Sequence, residues 1–345
     1  MKNIIVIGAN GHVGAYTFDY LISHLDLAEY HLIASGRRES PYYTEKGIDY
    51  IQIDVSDKES FKALPQSNVY AVINLAGIMP ASMKGYDPYP YIDINIRGSL
   101  NVLEYCREVE CQKIIITTTE ADLSGYWKPG ASIDPDLPAN FDHGSNYAMY
   151  IISRRTVLEM LENYHLRYGI KTFAIRCSTV YCYTESPYMY KLGKRIIPGY
   201  IQIYQKALRG ETIEVWGDPA VKTDIVYVKD FAQIVEKMIE SETAATGVYN
   251  LGNGMPVSLD DQIKIAVDVL AKKGINQILY TDQISRMEET SFKILQRLVM
   301  NWDMSQNMIT EVTSKIIRKR CMKIDLEVSL RQDRKSKEFQ NYAFD

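Results

Sequence analysis

The chain has 345 residues, a net charge of −4, and side chains that are 46% apolar and 24% charged. That is the balance of a soluble globular protein, long enough for one large domain or two modest ones. The charge excludes a global field drawing the chain to nucleic acid or an anionic membrane, and no apolar stretch reaches the length of a membrane span or a signal-peptide core. A cytoplasmic protein is therefore expected, with no nucleic-acid partner and no membrane partner. Five cysteines without a Cys-x-x-Cys pair, and five scattered histidines, predict reduced thiols and neither a disulfide framework nor a metal site.

Taken in chain order, apolar β-type runs at residues 3–7, 31–35, 50–53, 69–75, 113–118 and 171–176 predict strands. Residues 12–25, 91–109 and 145–168 carry the mixed pattern of helices. This alternation predicts an α/β fold, a doubly wound parallel sheet covered on both faces. Residues 182–198, rich in Tyr and Pro, read as irregular, followed by a helix at about 200–208. A last β/α pass covers 224–228, 229–239 and 248–251. The tail from about residue 255 is helix-rich by pattern, and residues 311–345, with nine Lys/Arg and six Asp/Glu, read as a solvated helical face.

The first strand runs into Gly8-Ala9-Asn10-Gly11-His12-Val13-Gly14, which opens a helix. The first glycine permits the tight turn, the second removes a side chain where backbone must approach a pyrophosphate, and the third lets helix pack on strand. The helix N-terminus offers free N–H groups and a positive dipole end. Strand, loop and helix in this order predict a dinucleotide-binding Rossmann domain. An acidic residue about 20 positions on normally holds the ribose of NAD. Here the second strand ends in Ser35-Gly36-Arg37-Arg38. No carboxylate repels a 2′-phosphate, and Arg37 and Arg38 supply two guanidinium groups, so the charge argument favours NADP over NAD.

The Gly-x-x-Gly-x-x-Gly spacing resembles the extended short-chain dehydrogenase/reductase family, also known as the NAD-dependent epimerase/dehydratase family. Further segments carry the resemblance: Asn74-Leu75-Ala76-Gly77, Asn95-Ile96-Arg97-Gly98-Ser99, Thr117-Thr118-Thr119 and Tyr249-Asn250-Leu251-Gly252. The resemblance implies that Gly8, Asn10, Gly11, His12, Val13 and Gly14 cradle the cofactor. It implies the same of Asp54 and Val55 near the adenine, of Leu75, Ala76 and Gly77 beneath the nicotinamide ribose, and of Asn95 on the following helix. It makes Thr119 the catalytic hydroxyl. The family's Tyr-x-x-x-Lys fits Tyr150, with Arg154 in the lysine's place, because four residues after Tyr147 stands Ile151; since the family lysine also bonds the nicotinamide ribose, the resemblance places Tyr150 and Arg154 among the cofactor-binding residues as well.

The chemistry calls for these types. A free phenol, with a pKa of about 10, is a poor base at neutral pH. A cation one helical turn away favours its ionised form. A threonine hydroxyl holds the reacting oxygen in place. The resemblance implies an epimerase or reductase acting on a nucleotide-diphosphate sugar. Dehydration is disfavoured, because Glu120 is followed by Ala121 and the extra carboxylate pair is missing. Two alternatives stay open. Thr223, where the family has a diphosphate-gripping Arg, motivates a reductase of a carbonyl compound without a nucleotide. Arg154 motivates a dinucleotide-binding protein without catalysis. Glu120, Arg195 and Lys222 are the candidate substrate-binding residues. The expected organisation is a Rossmann domain at 1–180, returning at about 224–255, with an interleaved smaller substrate-binding lobe at 181–223 and 256–345. The family's habit of pairing through two long helices implies a homodimer through 91–109 and 145–168.

Overall fold

The computed structural model describes residues 1–128, 132–184, 187–191, 193–270 and 278–281. The basic segment 311–345 and Cys321 lie outside the described residues. The elements run β1 (Lys2–Ile7), α1 (His12–His24), β2 (Tyr30–Gly36), a single turn α2 (Pro41–Thr44), β3 (Tyr50–Gln52) and β4 (Val69–Asn74). A π-helical segment, Tyr91–Arg97, leads into α3 (Gly98–Glu108), then β5 (Lys113–Thr119), α4 (Ala148–Tyr168), β6 (Lys171–Cys177) and β7 (Val180–Tyr181). There follow β8 (Met189–Lys191), β9 (Lys194–Ile196), α5 (Gly199–Arg209), β10 (Ile213–Trp216), β11 (Lys222–Thr223) and β12 (Val226–Tyr227). The described part closes with α6 (Val228–Glu240), β13 (Gly247–Asn250), β14 (Val257–Ser258), α7 (Leu259–Leu270) and β15 (Ile278–Thr281).

Seven strands form one parallel sheet in the order β13-β6-β5-β4-β1-β2-β3. Its strands are apolar on both faces, as a sheet sandwiched between helices requires. Ile5, Ile7, Val72, Ile114 and Ile116 enter one core with Val102 and Leu103 of α3 and Val157 and Leu161 of α4. Ile4, Val6, Ile73 and Ile115 enter the other with Phe18 and Leu21 of α1 and Phe231 and Val235 of α6. Strand order reverses between β1 and β4, and the carboxyl ends of these two strands open the crevice where such sheets take their ligands.

The chain divides into two compact units. The first comprises residues 1–125, 133–182 and 226–252, and holds the whole parallel sheet. The second takes 126–132, 183–225 and the described residues from Asn253 onward. Its own small core packs Ala207 of α5 and Ile213 and Val215 of β10 against Ile263, Ala266 and Leu270 of α7. The stretch expected to be irregular contains an antiparallel hairpin, β8 with β9, turned at Gly193 with φ 74°. Among the described residues, no helix is long and apolar enough to cross a membrane.

Two buried cations have polar work within the first unit. Lys113, 1% exposed, donates to the carbonyls of Ile239 (2.5 Å) and Ser241 (3.0 Å), placing its charge at the C-terminus of α6, where the helix dipole is negative. Arg176, at the end of β6, donates Nε and Nη2 to Asp122 Oδ2 (3.2 and 3.0 Å) and Nη1 to the Pro135 carbonyl (2.5 Å). Burial lifts the Asp122 carboxyl above its ordinary range, against the pull of Arg176 and Arg155. The pair ties the turn after β5 to the segment 133–140, where Asn140 N–H reaches the Asp122 carbonyl at 2.8 Å. Asp122→Ala strands the Arg176 guanidinium in the interior and is expected to cost about 3–5 kcal/mol. Urea unfolding of the variant measures this, and a loss below about 1 kcal/mol, the level of an exposed pair, would contradict the buried-pair account.

Candidate active site

At the end of β1 the backbone turns through Gly8 at φ 85°, and Gly8 N–H and Ala9 N–H both reach the Ser35 carbonyl (2.8 and 2.9 Å). A Cβ on Gly8 would stand 2.7 Å from Ala76 N, and a Cβ on Gly14 2.9 Å from Ala9 Cα and closer still to the Gly8 carbonyl oxygen. Both glycines are therefore required by the protein's own backbone. Gly11 is different. It is exposed, it adopts φ −73° and ψ 159° at the N-cap of α1, and a Cβ there would meet only the Gly8 carbonyl oxygen, at 3.3 Å. Its bare backbone opens the mouth of the loop to a group arriving from outside, as a dinucleotide pyrophosphate does. His12 and Val13 are half-buried in the first turn of α1, and burial holds the His12 imidazole below its ordinary pKa. The loop fits a dinucleotide.

At the end of β2 the geometry differs from the charge argument. The Asn10 amide donates to the Tyr50 hydroxyl (2.8 Å) and the Arg38 carbonyl (3.1 Å), and Tyr50 donates to the same carbonyl. A Cβ on Gly36 would meet the Tyr50 hydroxyl at 2.9 Å and Asn10 Nδ2 at 3.1 Å. Neutral hydrogen-bonding groups thus border Gly36. Arg37 and Arg38 serve the loop through their carbonyls, Arg37 accepting from Gln52 Nε2 at 2.9 Å. Tyr50 was not singled out in the sequence, being one of 26 tyrosines; its signal is its place opening the third strand. Asp54 turns its carboxylate onto Ser56 N–H (2.9 Å) and Ser56 Oγ (2.7 Å), and Val55 packs against Gly98, where a Cβ would come within 2.8 Å of Val55 Cγ2.

The loop after β4 is held by Asn95, fully buried in the π-helical segment. Its side chain accepts from Ile78 N–H (2.9 Å) and donates to the Ile78 carbonyl (3.0 Å) and to Ser153 Oγ (3.0 Å). Ser153 in turn donates to the Tyr150 carbonyl (2.7 Å). One amide thereby fixes loop 75–79 to the first turns of α4. Leu75 N–H continues the link to β1 through the Ile7 carbonyl (2.9 Å), and Ala76 N–H caps onto Asn74 Oδ1 (3.1 Å).

Tyr150 stands in the first turn of α4, half-buried, its ring 6.0 Å from that of Tyr91. The Arg154 guanidinium lies 5.8 Å from the Tyr150 ring and is 5% exposed. Its Nη1 donates to the Thr117 carbonyl at 3.4 Å, while its Nε is buried without an acceptor. Thr119 ends β5, two residues beyond Thr117 and on the same side of the strand. Its Oγ1 accepts from Ala121 N–H at 3.2 Å, a contact that uses a lone pair and not the hydroxyl proton. Glu120 follows, half-buried. Arg154 and Glu120 both act on Cys177, whose thiol burial pushes up to about 12. The geometry therefore brings Tyr150, Arg154 and the end of β5 together on the sheet edge that carries the glycine loop. The other two substrate candidates belong to the second unit. Arg195 is exposed on β9, its guanidinium 3.9 Å over the Tyr188 ring, and Lys222 is half-buried on β11. Among the described residues no cluster of His, Cys, Asp and Glu could hold a metal ion.

Comparison with known proteins matches residues 4–252 to the NAD dependent epimerase/dehydratase family, and the chain belongs to that family. A putative UDP-glucose 4-epimerase of Methanocaldococcus jannaschii is 24% identical, over 79% of this chain and 83% of its own. The UDP-glucose 4-epimerase of Thermus thermophilus in complex with NAD shares the fold, with TM-score 0.61, 21% identity, and coverage of 80% of this chain and 85% of that one. A monomeric L-threonine 3-dehydrogenase from a metagenome shares it at TM-score 0.70 and 16% identity, over 93% of this chain and 99% of that one. The expectation of NADP is corrected to NAD. The Thermus structure contains NAD, and so do structures of UDP-glucuronic acid 4-epimerase from Bacillus cereus, one of them 19% identical with TM-score 0.59 over 81% of this chain and 86% of that one. The physical reason is that counting guanidinium groups ignored what borders Gly36, a neutral amide and a phenol.

The glycines separate folding from binding. Serine suits an extended N-cap, so Gly11→Ser is expected to leave stability within about 0.5 kcal/mol while weakening NAD binding by at least about tenfold, ~1.4 kcal/mol. Gly14→Ala is expected to lower the thermal midpoint of the free protein. Calorimetric titration and thermal unfolding test both, and a Gly11→Ser variant that binds NAD as tightly as the parent would contradict this reading of the loop.

Proposed function

We propose that this member of the NAD dependent epimerase/dehydratase family is an NAD-dependent epimerase of a nucleotide-diphosphate sugar. The observation that carries the reading is the Arg154 guanidinium seated between the Tyr150 ring and the Thr117 carbonyl, on the edge that carries the glycine loop. The names of its relatives support the substrate class, UDP-glucose and UDP-glucuronate among them.

NAD, when bound, supplies a reversible acceptor for a hydride. The chain's residues do the rest. Tyr150 takes the proton of the sugar hydroxyl as the carbinol carbon loses its hydride, and the C–O bond becomes a carbonyl. Arg154 offsets the negative charge of the phenolate oxygen before that oxygen takes the proton. Thr119 donates its hydroxyl proton to the reacting oxygen and keeps it in line with Tyr150. Return of the hydride to the opposite face of the carbonyl, with return of the Tyr150 proton, inverts the carbon. Glu120 is the proposed carboxylate for a sugar hydroxyl. Asn10, Asp54 and Arg154 are the proposed polar partners of the cofactor, and Asn95, fully buried, supports them by holding the loop after β4. A homodimer through α3 and α4 belongs to the same reading, with Leu100 and Ile152 exposed on those helices.

Tyr150→Phe removes the proton acceptor and leaves the cradle intact. It is expected to lower kcat by about 10²–10⁴-fold with NAD affinity retained. Conversion of UDP-glucose and UDP-glucuronate to their C4 epimers, followed by chromatography, measures it. Full turnover in the Tyr150→Phe protein would overturn the assignment.

A further inference from the structure

We propose that Gly77 is a positioning residue that seats the Arg154 guanidinium, so that glycine at 77 and arginine at 154 form a matched pair. The inference rests on the reading that Arg154 serves the cofactor and Tyr150.

Gly77 follows β4 on an exposed stretch of backbone, and it is absent from the glycines with positive φ. Its conformation is therefore open to alanine. The three nearest atoms that a side chain there would meet belong to one neighbour. A Cβ at 77 would stand 2.8 Å from Arg154 Cζ and 3.0 Å from Nη1, and Nη2 would be nearer still. All three atoms belong to the guanidinium, and no backbone atom is among them. The planar fork lies against the bare Cα of Gly77, with Nη1 turned to the Thr117 carbonyl. Nε is left buried without an acceptor. An unpartnered donor on a side chain 95% buried is costly. Beside a loop shaped for a dinucleotide, it marks a place for a ligand oxygen, such as a ribose hydroxyl.

A guanidinium is wider than an ammonium and presents its donors in a fixed plane. Lysine at 154 would put its donors on a single atom at the end of a slim stem and would need no gap at 77. Arginine needs the gap. Alanine at 77 would force Nη2 of the fork back by roughly 1.5–2 Å to reach ordinary contact distance. Displacements of even about 1 Å cost about 10²-fold in rate.

The test is a two-by-two comparison of the parent, Gly77→Ala, Arg154→Lys and the double variant. NAD affinity is read by calorimetric titration, the thermal midpoint by unfolding, and kcat with UDP-glucose and UDP-glucuronate. Gly77→Ala is expected to weaken NAD binding by about tenfold or more and to lower kcat by about 10²-fold. The thermal midpoint should hardly move, since the obstructing atoms end a flexible side chain. The double variant is expected to recover NAD affinity and kcat relative to Gly77→Ala. Equal losses from alanine in both backgrounds, or no loss in Gly77→Ala, would overturn the pairing. Should Gly77→Ala fail to fold, a folded double variant supports the pair, and an unfolded one overturns it. If the parent epimerises neither sugar, the proposed function falls while the NAD affinities still decide the pairing.

Discussion

The structure depends on backbone touching backbone at Gly8. Its carbonyl oxygen lies where a side chain on Gly14 would have to be, and its own Cα faces Ala76 N. The first contact draws α1 onto the end of β1. The second draws the loop after β4 onto the same point. The crevice at the reversal of strand order is therefore lined by main chain, and main chain is what can approach a pyrophosphate.

From that contact the constraints pass outward through single residues. The loop brought against Gly8 continues to Ile78, which Asn95 grips by both its N–H and its carbonyl. Asn95 also reaches Ser153, and Ser153 holds the Tyr150 carbonyl. The first turns of α4 are thus registered to the glycine loop by polar contacts, while Val157 and Leu161 anchor the rest of that helix in the apolar core. Such a chain of supports keeps a phenol and a cation in fixed relation, which is what preorganised acid–base chemistry needs.

Much of this was legible in the sequence, for physical reasons. The buried parallel strands are continuous apolar runs, so β1, β2, β4, β5 and β6 fall within a residue of their expected bounds. The glycine loop was legible because each glycine answers a steric demand. The rest turned on contacts that a pattern does not encode. The stretch at 91–109 read as one helix, whereas it opens with a π-helical segment at Tyr91–Arg97. The strand expected at 224–228 shrinks to Val226–Tyr227. Asp224 leaves the ladder and accepts N–H groups from Asn253 and Gly254 (2.9 and 3.1 Å). The hairpin of β8 and β9 was missed because three-residue strands carry almost no periodicity. NADP was expected because Arg37 and Arg38 are conspicuous, while the Tyr50 side chain beside Gly36 is not. Gly77 and Arg154, 77 positions apart by number, could be joined only by seeing where the guanidinium lies.

The central claim is that one carbon is oxidised and reduced again within a single binding event. The most direct measurement is to incubate the protein with UDP-glucose carrying deuterium at C4 and to analyse the epimer by mass spectrometry and proton NMR. The account predicts that the C4 epimer forms with its deuterium still on C4, without consumption of added nicotinamide cofactor. Loss of the label to solvent, or formation of a reduced or oxidised sugar in proportion to added cofactor, would contradict it.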